Sequence, residues 1–523
     1  MDERRLKRVA FGLCFVVSLF VPLACVIEAA EQPFQDSGKI VVALHTEITT
    51  MDPAEAFLAY ECMITGNTYE GLLRYDLRDF SIHPLLAESW KLDENGGTFR
   101  LRKGVKFHDG TEFNAEAVRF NWKRIMAILK GPATWLKDIK DMKVVDDYTV
   151  RIETTKNWAF LTDVLATHRI LVMASPTAVS KHATKEDPWA VKWFHDHTCG
   201  TGPYMAVEWV PNQYVKMVRN KDYWKGWSGK HFSEAVYQTA PEVSTRLMLI
   251  KSGNVDLILH MTAEHFEELS ADPNINVTVV SPSFAVWLFL MNNAHGIFTD
   301  KNLRQAVIYT VDYDACYKMM KARSGGMLFG PIEGYKRDLK KAMEYKNKSA
   351  YAGKNVEVLI TYNIGSEHKD FALILQDSLK EIGLNAKMKA LAWPAFSKEL
   401  YGGNPKEAGD LYTVYSASVL ADPYGVLYRI FHSKSIAPGG LNLGYSNPKF
   451  DSLLDQAVST ISREKRMALY EEMRKVAVAD VPYVPILMRP YTVIHRKDVG
   501  VYPNTQIGDA LGGVFYFYDL YRK

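Results

Sequence analysis

Between Ala87 and Trp122 the spacing of apolar residues changes from two to nearly four, in the run AESWKLDENGGTFRLRKGVKFHDGTEFNAEAVRFNW. That change dictates an order of elements. Phe99 and Leu101 alternate with Arg100 and Arg102, Lys103-Gly104 turns the chain, Val105 and Phe107 alternate again, and Asp109-Gly110 makes a second turn. A β-meander is predicted. Asn114 then suits a helix cap with Glu116 in the first turn, and Val118, Trp122, Ile125 and Met126 fall on one helical face. A hairpin followed by an amphipathic helix suits many folds, so the rest of the chain must narrow the choice.

With 523 residues the chain exceeds what one hydrophobic core organises, and two or three domains are expected. KIVVAL, residues 39–44, reads as a buried strand. From Val356 to Trp393 the pattern is a βαβ unit. VEVLITY is a strand, Ala372, Leu375, Leu379 and Ile382 mark a helix ended by Gly383, and NAKMKALAW returns as a strand after a right-handed crossover. Helices follow Asn447-Pro448 and run from Ser462 to about Ala479. The mixture is an α/β protein with layered sheets.

Arg4, Arg5, Lys7 and Arg8 precede an apolar stretch from Val9 toward Ile27, the pattern of an export signal over residues 1–30. An uncleaved anchor is the competing reading, but Pro22 interrupts the stretch. Cys25 follows Pro22, Leu23 and Ala24, only part of a lipoprotein box, so soluble export is preferred and lipid anchoring at Cys25 is the alternative. The mature protein is thus expected in the periplasm or at the cell surface. There Cys62, Cys199 and Cys316 meet oxidising conditions that favour one disulfide and one remaining thiol. The formal charge of +3 carries no clustered basic face, which argues against nucleic acid as a partner.

Ala87, Ser89, Trp90, Leu101, Arg102, Gly104, Val105, Phe107, His108, Asp109, Gly110, Ala115, Val118 and Phe120 resemble the signature of the family 5 extracellular solute-binding proteins, the peptide-, nickel- and opine-type receptors of ABC importers. GTGPY (200–204), EWVPNQ, RNKDYW ending at Trp224, TRLMLIKSGNVDL (245–257), LRQAVIYTVD (303–312) and GYSNPKFDSLLDQA (444–457) follow in the right order. The resemblance implies a two-lobed periplasmic-binding-protein fold with a hinge and an extra domain inserted in the first lobe. Carried onto this chain, the first lobe takes residues 31–74, 199–285 and 483–523, the inserted domain 75–198 and the second lobe 286–482. The hinge crossings fall at 281–290 and 481–490. Because it puts Cys62 and Cys199 in one domain, the resemblance favours that pair for a disulfide.

A monomer that closes on a small solute and delivers it to permease subunits in the membrane, with no cofactor, is what the resemblance implies. Its cleft wall would include YSASVLADPYG, residues 415–425. Peptide-binding members carry an aspartate four residues before the proline of that stretch, where it pairs with the ligand's amino group; here the position is Val419. Valine offers no charge-assisted contact, so an ordinary free-amine peptide is not the expected ligand. Asp422 either supplies the charge instead or initiates a turn before Pro423. Further candidates are His45, Thr46 and Glu47 after the first strand, Trp287, Asn292 and Asn293 with Phe284 near the first crossing, Trp393 and Tyr415 as stacking platforms, and Ser416 and Ser418 as hydrogen-bonding groups. With 28 Tyr and 11 Trp, most rings must be core or surface, so these mark a region. Aromatic walls with uncharged polar groups suit a sugar-like, opine-like or modified amino-acid ligand. A peptide receptor of the same import system is the alternative.

His195, His197 and Cys199 alternate, and in an extended strand would present a metal-binding trio, short of the fourth ligand that a closed tetrahedral site needs. No nucleophile elbow, zinc-protease helix or phosphate loop is present, and Pro203 interrupts the glycines of GTGPY, so an exported hydrolase is disfavoured. A ligand-loaded carrier for a sensor would share the same cleft.

Overall fold

The computed structural model describes residues 33–523 except 58, 260, 262–263, 281–284, 321–334, 365–366, 403, 437–439, 489–490, 504 and 508–513. The export segment 1–30 with Cys25, and Phe284, lie outside the described residues.

The β-branched run Lys39–Leu44 forms a strand within a seven-stranded sheet and is buried along all but its first residue. Glu234–Thr239 and Leu257–Ile258 flank it, both parallel. Tyr491–Arg496 is antiparallel to Leu257–Ile258 and to Ile275–Val280, so these last two run in the same direction as Lys39–Leu44.

A five-stranded sheet holds Leu384–Leu391, Val356–Asn363, Leu411–Ala417, Ala285–Met291 and Tyr483–Met488 in that order. The first three are parallel and Ala285–Met291 is antiparallel to both of its neighbours. The βαβ reading holds: the helix His368–Lys380 joins the parallel pair, and Gly383 turns the chain at φ 70° before the second strand. Between Val280 and Ala285 the chain passes from the seven-stranded sheet to the five-stranded one, and between Met488 and Tyr491 it returns. Tyr483–Met488, expected with the first lobe, belongs to the five-stranded sheet because Val484, Ile486 and Leu487 pack into its apolar cluster.

Ala87–Asp93, Gly96–Leu101, Thr149–Thr154 and Ile139–Asp146 make a four-stranded antiparallel sheet, on which the helix Ala115–Ile128 packs. Asn114 caps that helix by accepting from the Ala117 amide at 3.0 Å, as predicted, and Val118 and Ile125 are buried. The expected strand at Val105–Phe107 does not form. Phe107 and Thr111 instead bond across the Asp109-Gly110 turn, and Phe113 donates to the Val105 carbonyl, which folds the segment on itself.

The helices Pro448–Ser459 and Arg463–Asp480 lie where their spacing puts them, the first capped by Asn447. None of Cys62, Cys199 and Cys316 is in a disulfide, so the Cys62–Cys199 pair is not made. They sit in three different apolar clusters. Burial pushes the Cys199 and Cys316 thiols up to about 12.

Candidate functional site

Ligands of open sheets collect beyond the carboxyl ends of parallel strands. In both large sheets those ends lie at the crossings: Leu44, Ile258 and Val280 on one side, Asn363, Leu391 and Ala417 on the other. His45, Thr46 and Glu47 follow the first of these ends, and all three are partly exposed. The Glu47 carboxylate accepts from the Asn212 amide at 2.6 Å and His45 meets Tyr60 edge-on. On the facing side the large apolar residues Ile364, Trp393 and Tyr415 are 62%, 56% and 36% exposed. Exposed apolar side chains gathered at one rim mark a contact surface. Rings run beneath them from Trp393 through Phe396, His368 and Trp287 to Tyr415, at centroid separations of 6.0, 6.0, 4.6 and 5.5 Å.

Other candidates lie deeper in the fold or at its far end. Trp287 is buried within that ring series. Asn292 lies at the opposite end of its strand, where its amide donates to the Pro405 carbonyl at 2.7 Å, and Asn293 donates to Met291 and Pro482. Ser416 lies buried next to Tyr415 in the strand and so faces the other side of the sheet. The Ser418 hydroxyl donates to the Asp422 carbonyl, and Val419 is buried in an apolar cluster shared with the four-stranded body.

Asp422 carries the turn role. It accepts from the Tyr424 amide at 3.0 Å, pairs with Arg466 at 3.2 Å and receives the Tyr470 hydroxyl, all well inside the protein. These contacts fix the entry of the helix Tyr424–Phe431, whose Tyr424 and Tyr428 share a face four residues apart.

That face forms one wall of a pocket of about 670 Å³ which the sequence reading missed. Tyr424, Tyr428, Lys434 and Asp455 line it from the five-stranded body. Trp135, Lys137, Asp138, Lys156 and Trp158 line it from the four-stranded body. Trp135 is placed by the short helix Gly131–Trp135, which has Pro132 in its first turn. The two bodies touch along this seam. Ala159 donates its amide to the Val458 carbonyl at 2.8 Å, Asn157 reaches the Ser459 carbonyl at 3.1 Å, and Phe160 stacks on Tyr424 at 4.6 Å. Gly425 lets the walls approach, since a Cβ there would lie 2.8 Å from the Ser418 hydroxyl and 3.3 Å from the Trp135 ring.

Beneath the pocket, Tyr75 donates to Asp163 at 3.0 Å and accepts weakly from the Ala421 amide at 3.4 Å. Burial, reinforced by the charge of Asp422, pushes the Asp163 carboxyl up to about 6. Acidic groups therefore face each other across the seam, with Arg466 as the cation between them.

His195, His197 and Cys199 do not form a trio. His195 closes the helix Val191–Phe194 in a helical conformation, the His197 ring stacks on Trp193, and Cys199 is buried against Asp109 and Ser175. The strand geometry that would have aligned them is absent, and no group of His, Cys, Asp and Glu among the described residues could hold a metal ion.

The chain matches the family model for bacterial extracellular solute-binding proteins, family 5, over residues 81–438. It is 26% identical to the glutathione-binding protein GsiB of Salmonella choleraesuis over 511 residues, covering 94% of each chain. The fold is that of the periplasmic binding protein DppA from Helicobacter pylori in complex with the peptide STSA. The TM-score is 0.77 with 24% identity, over 93% of this chain and 98% of that one. AgaA in complex with agropinic acid, from A. tumefaciens R10, gives a TM-score of 0.73 with 21% identity, over 93% and 99%.

Proposed function

Since this chain belongs to the bacterial extracellular solute-binding proteins of family 5, we propose that it closes on one small solute at the seam between its second lobe and its inserted domain and hands that solute to the permease of an ABC importer. The observation that carries the reading is the pocket walled by Trp135 and Trp158 on one body and Tyr424 and Tyr428 on the other. Among the described strands, the chain passes between the two large sheets twice, and we propose that a rotation of one lobe against the other opens and closes the cleft without unfolding either body. The lobes follow the sheets: a first lobe around the seven strands, a second from Ala285 to Met488, and an inserted four-stranded domain. Trp393, Tyr415 and Ile364, exposed at the strand ends of the second lobe, and His45, Thr46 and Glu47, at a strand end of the first, are kept as further proposed solute contacts.

Solute is returned unchanged, and no catalytic residue is assigned. The protein acts as a monomer after export to the periplasm. Its solute is not an ordinary free-amine peptide, because Val419 is apolar and Asp422 is already engaged by Arg466. Native mass spectrometry of the purified protein, followed by denaturing release, tests this. A released sugar derivative, opine or modified amino acid supports the reading; a released free-amine peptide contradicts it.

A further inference from the structure

Resting on the reading of this pocket as the solute site, we propose that the solute is an anion: a carboxylate-bearing molecule with a flat apolar body and no free ammonium group. The charges that line the pocket point this way. Lys156 is paired with Asp138 at 3.1 Å, while Asp455 is hydrogen-bonded to the His432 ring at 3.3 Å and keeps its charge, so three lysines face two carboxylates in the pocket. Lys137 and Lys434 remain, one on each wall, and neither has an ion pair among the described residues.

Closing the seam carries these two ammonium groups into one pocket, where like charges repel. An anion between them reverses the sign of that interaction. It binds the closed form better than the open one, which is the condition for a ligand to drive closure. A cationic group would add to the repulsion. The rings of Trp135 and Tyr424 supply the faces for a flat body.

The test is calorimetric titration of the full mature protein with three probes of one shape, 3-phenylpropionate, 3-phenylpropionamide and 3-phenylpropylamine. The carboxylate is expected to bind about tenfold or more tighter than the amide, with the amine weakest. Lys137→Met and Lys434→Met should each erase most of that preference while leaving the amide unchanged. Equal affinities, a preference for the amine, or failure of the carboxylate to bind overturn the inference. Trp135→Ala and Tyr424→Ala separate it from the reading beneath it. If they abolish binding of an amine-preferring site, the pocket stands and the anion falls; if they leave the affinity of a bound probe unchanged, the pocket itself is wrong.

Discussion

Replacing Asp422 with asparagine distinguishes a structural carboxylate from a ligand-binding one. The residue is 2% exposed, and its carboxylate sits between Arg466, Tyr470 and the Tyr424 amide. Asparagine keeps an acceptor for the tyrosine and the amide but leaves Arg466 without its counter-charge. Arg466 retains the Thr460 and Ile461 carbonyls, at 3.0 and 2.8 Å, so it is not stranded entirely. Breaking a buried pair by removing one partner costs about 3–5 kcal/mol, and the retained acceptors put Asp422→Asn near the lower end. Urea denaturation followed by tryptophan fluorescence should show the second-lobe transition moved down by about 1–2 M, for a slope of about 2 kcal/mol/M. Adding Arg466→Met should recover part of the loss, because the unpaired charge is then gone. An Asp422→Asn protein with an unchanged transition and abolished solute binding would refute the reasoning and restore Asp422 as a ligand contact.

Asp163, with its carboxyl raised from 3.8 to about 6, binds more protons in the folded state than in the unfolded one, so it stabilises the fold below about pH 4 and loses that contribution as pH rises through about 6. The difference is roughly 3 kcal/mol between about pH 4 and pH 7, and Asp163→Asn should remove that slope from a stability–pH series; an unchanged slope contradicts the assignment. Gly425→Ala should weaken solute binding about tenfold or more with a smaller effect on stability, because its Cβ meets Ser418 and Trp135 at the seam; titration with the released solute checks this, and wild-type affinity counts against it. The three thiols should resist alkylation at neutral pH until the protein is unfolded, and reduction should leave the intact mass unchanged; a gain equal to two hydrogens would reveal a disulfide.

Periodicity exposed the elements that pack by one face. Lys39–Leu44, the βαβ unit around His368–Lys380 and the helices capped by Asn114 and Asn447 all follow from local residue order. Both crossings fall within the spans 281–290 and 481–490 that the family resemblance implied, although its boundary at 483 lay one strand early. The pocket was not, because its walls meet through contacts such as Asn157 to Ser459, 302 positions apart. Trp135 stands in a short turn with no period to mark it, although Tyr424 and Tyr428, four apart after Asp422-Pro423, were a usable signal. Asp422 was ambiguous because its partners Arg466 and Tyr470 lie on a helix that nothing in the 415–425 stretch announces. Asn292 lies at the end of its strand away from the crossing, and sequence does not say which end of a strand faces a cleft.

The most direct test of closure on a solute at the seam is hydrogen exchange of the free protein against the protein loaded with its released solute. The Ala159 amide, bonded to Val458 across the seam, and the segments 156–160 and 420–428 should gain protection together. Protection confined to either large sheet, with those segments exchanging as in the free protein, would contradict the account.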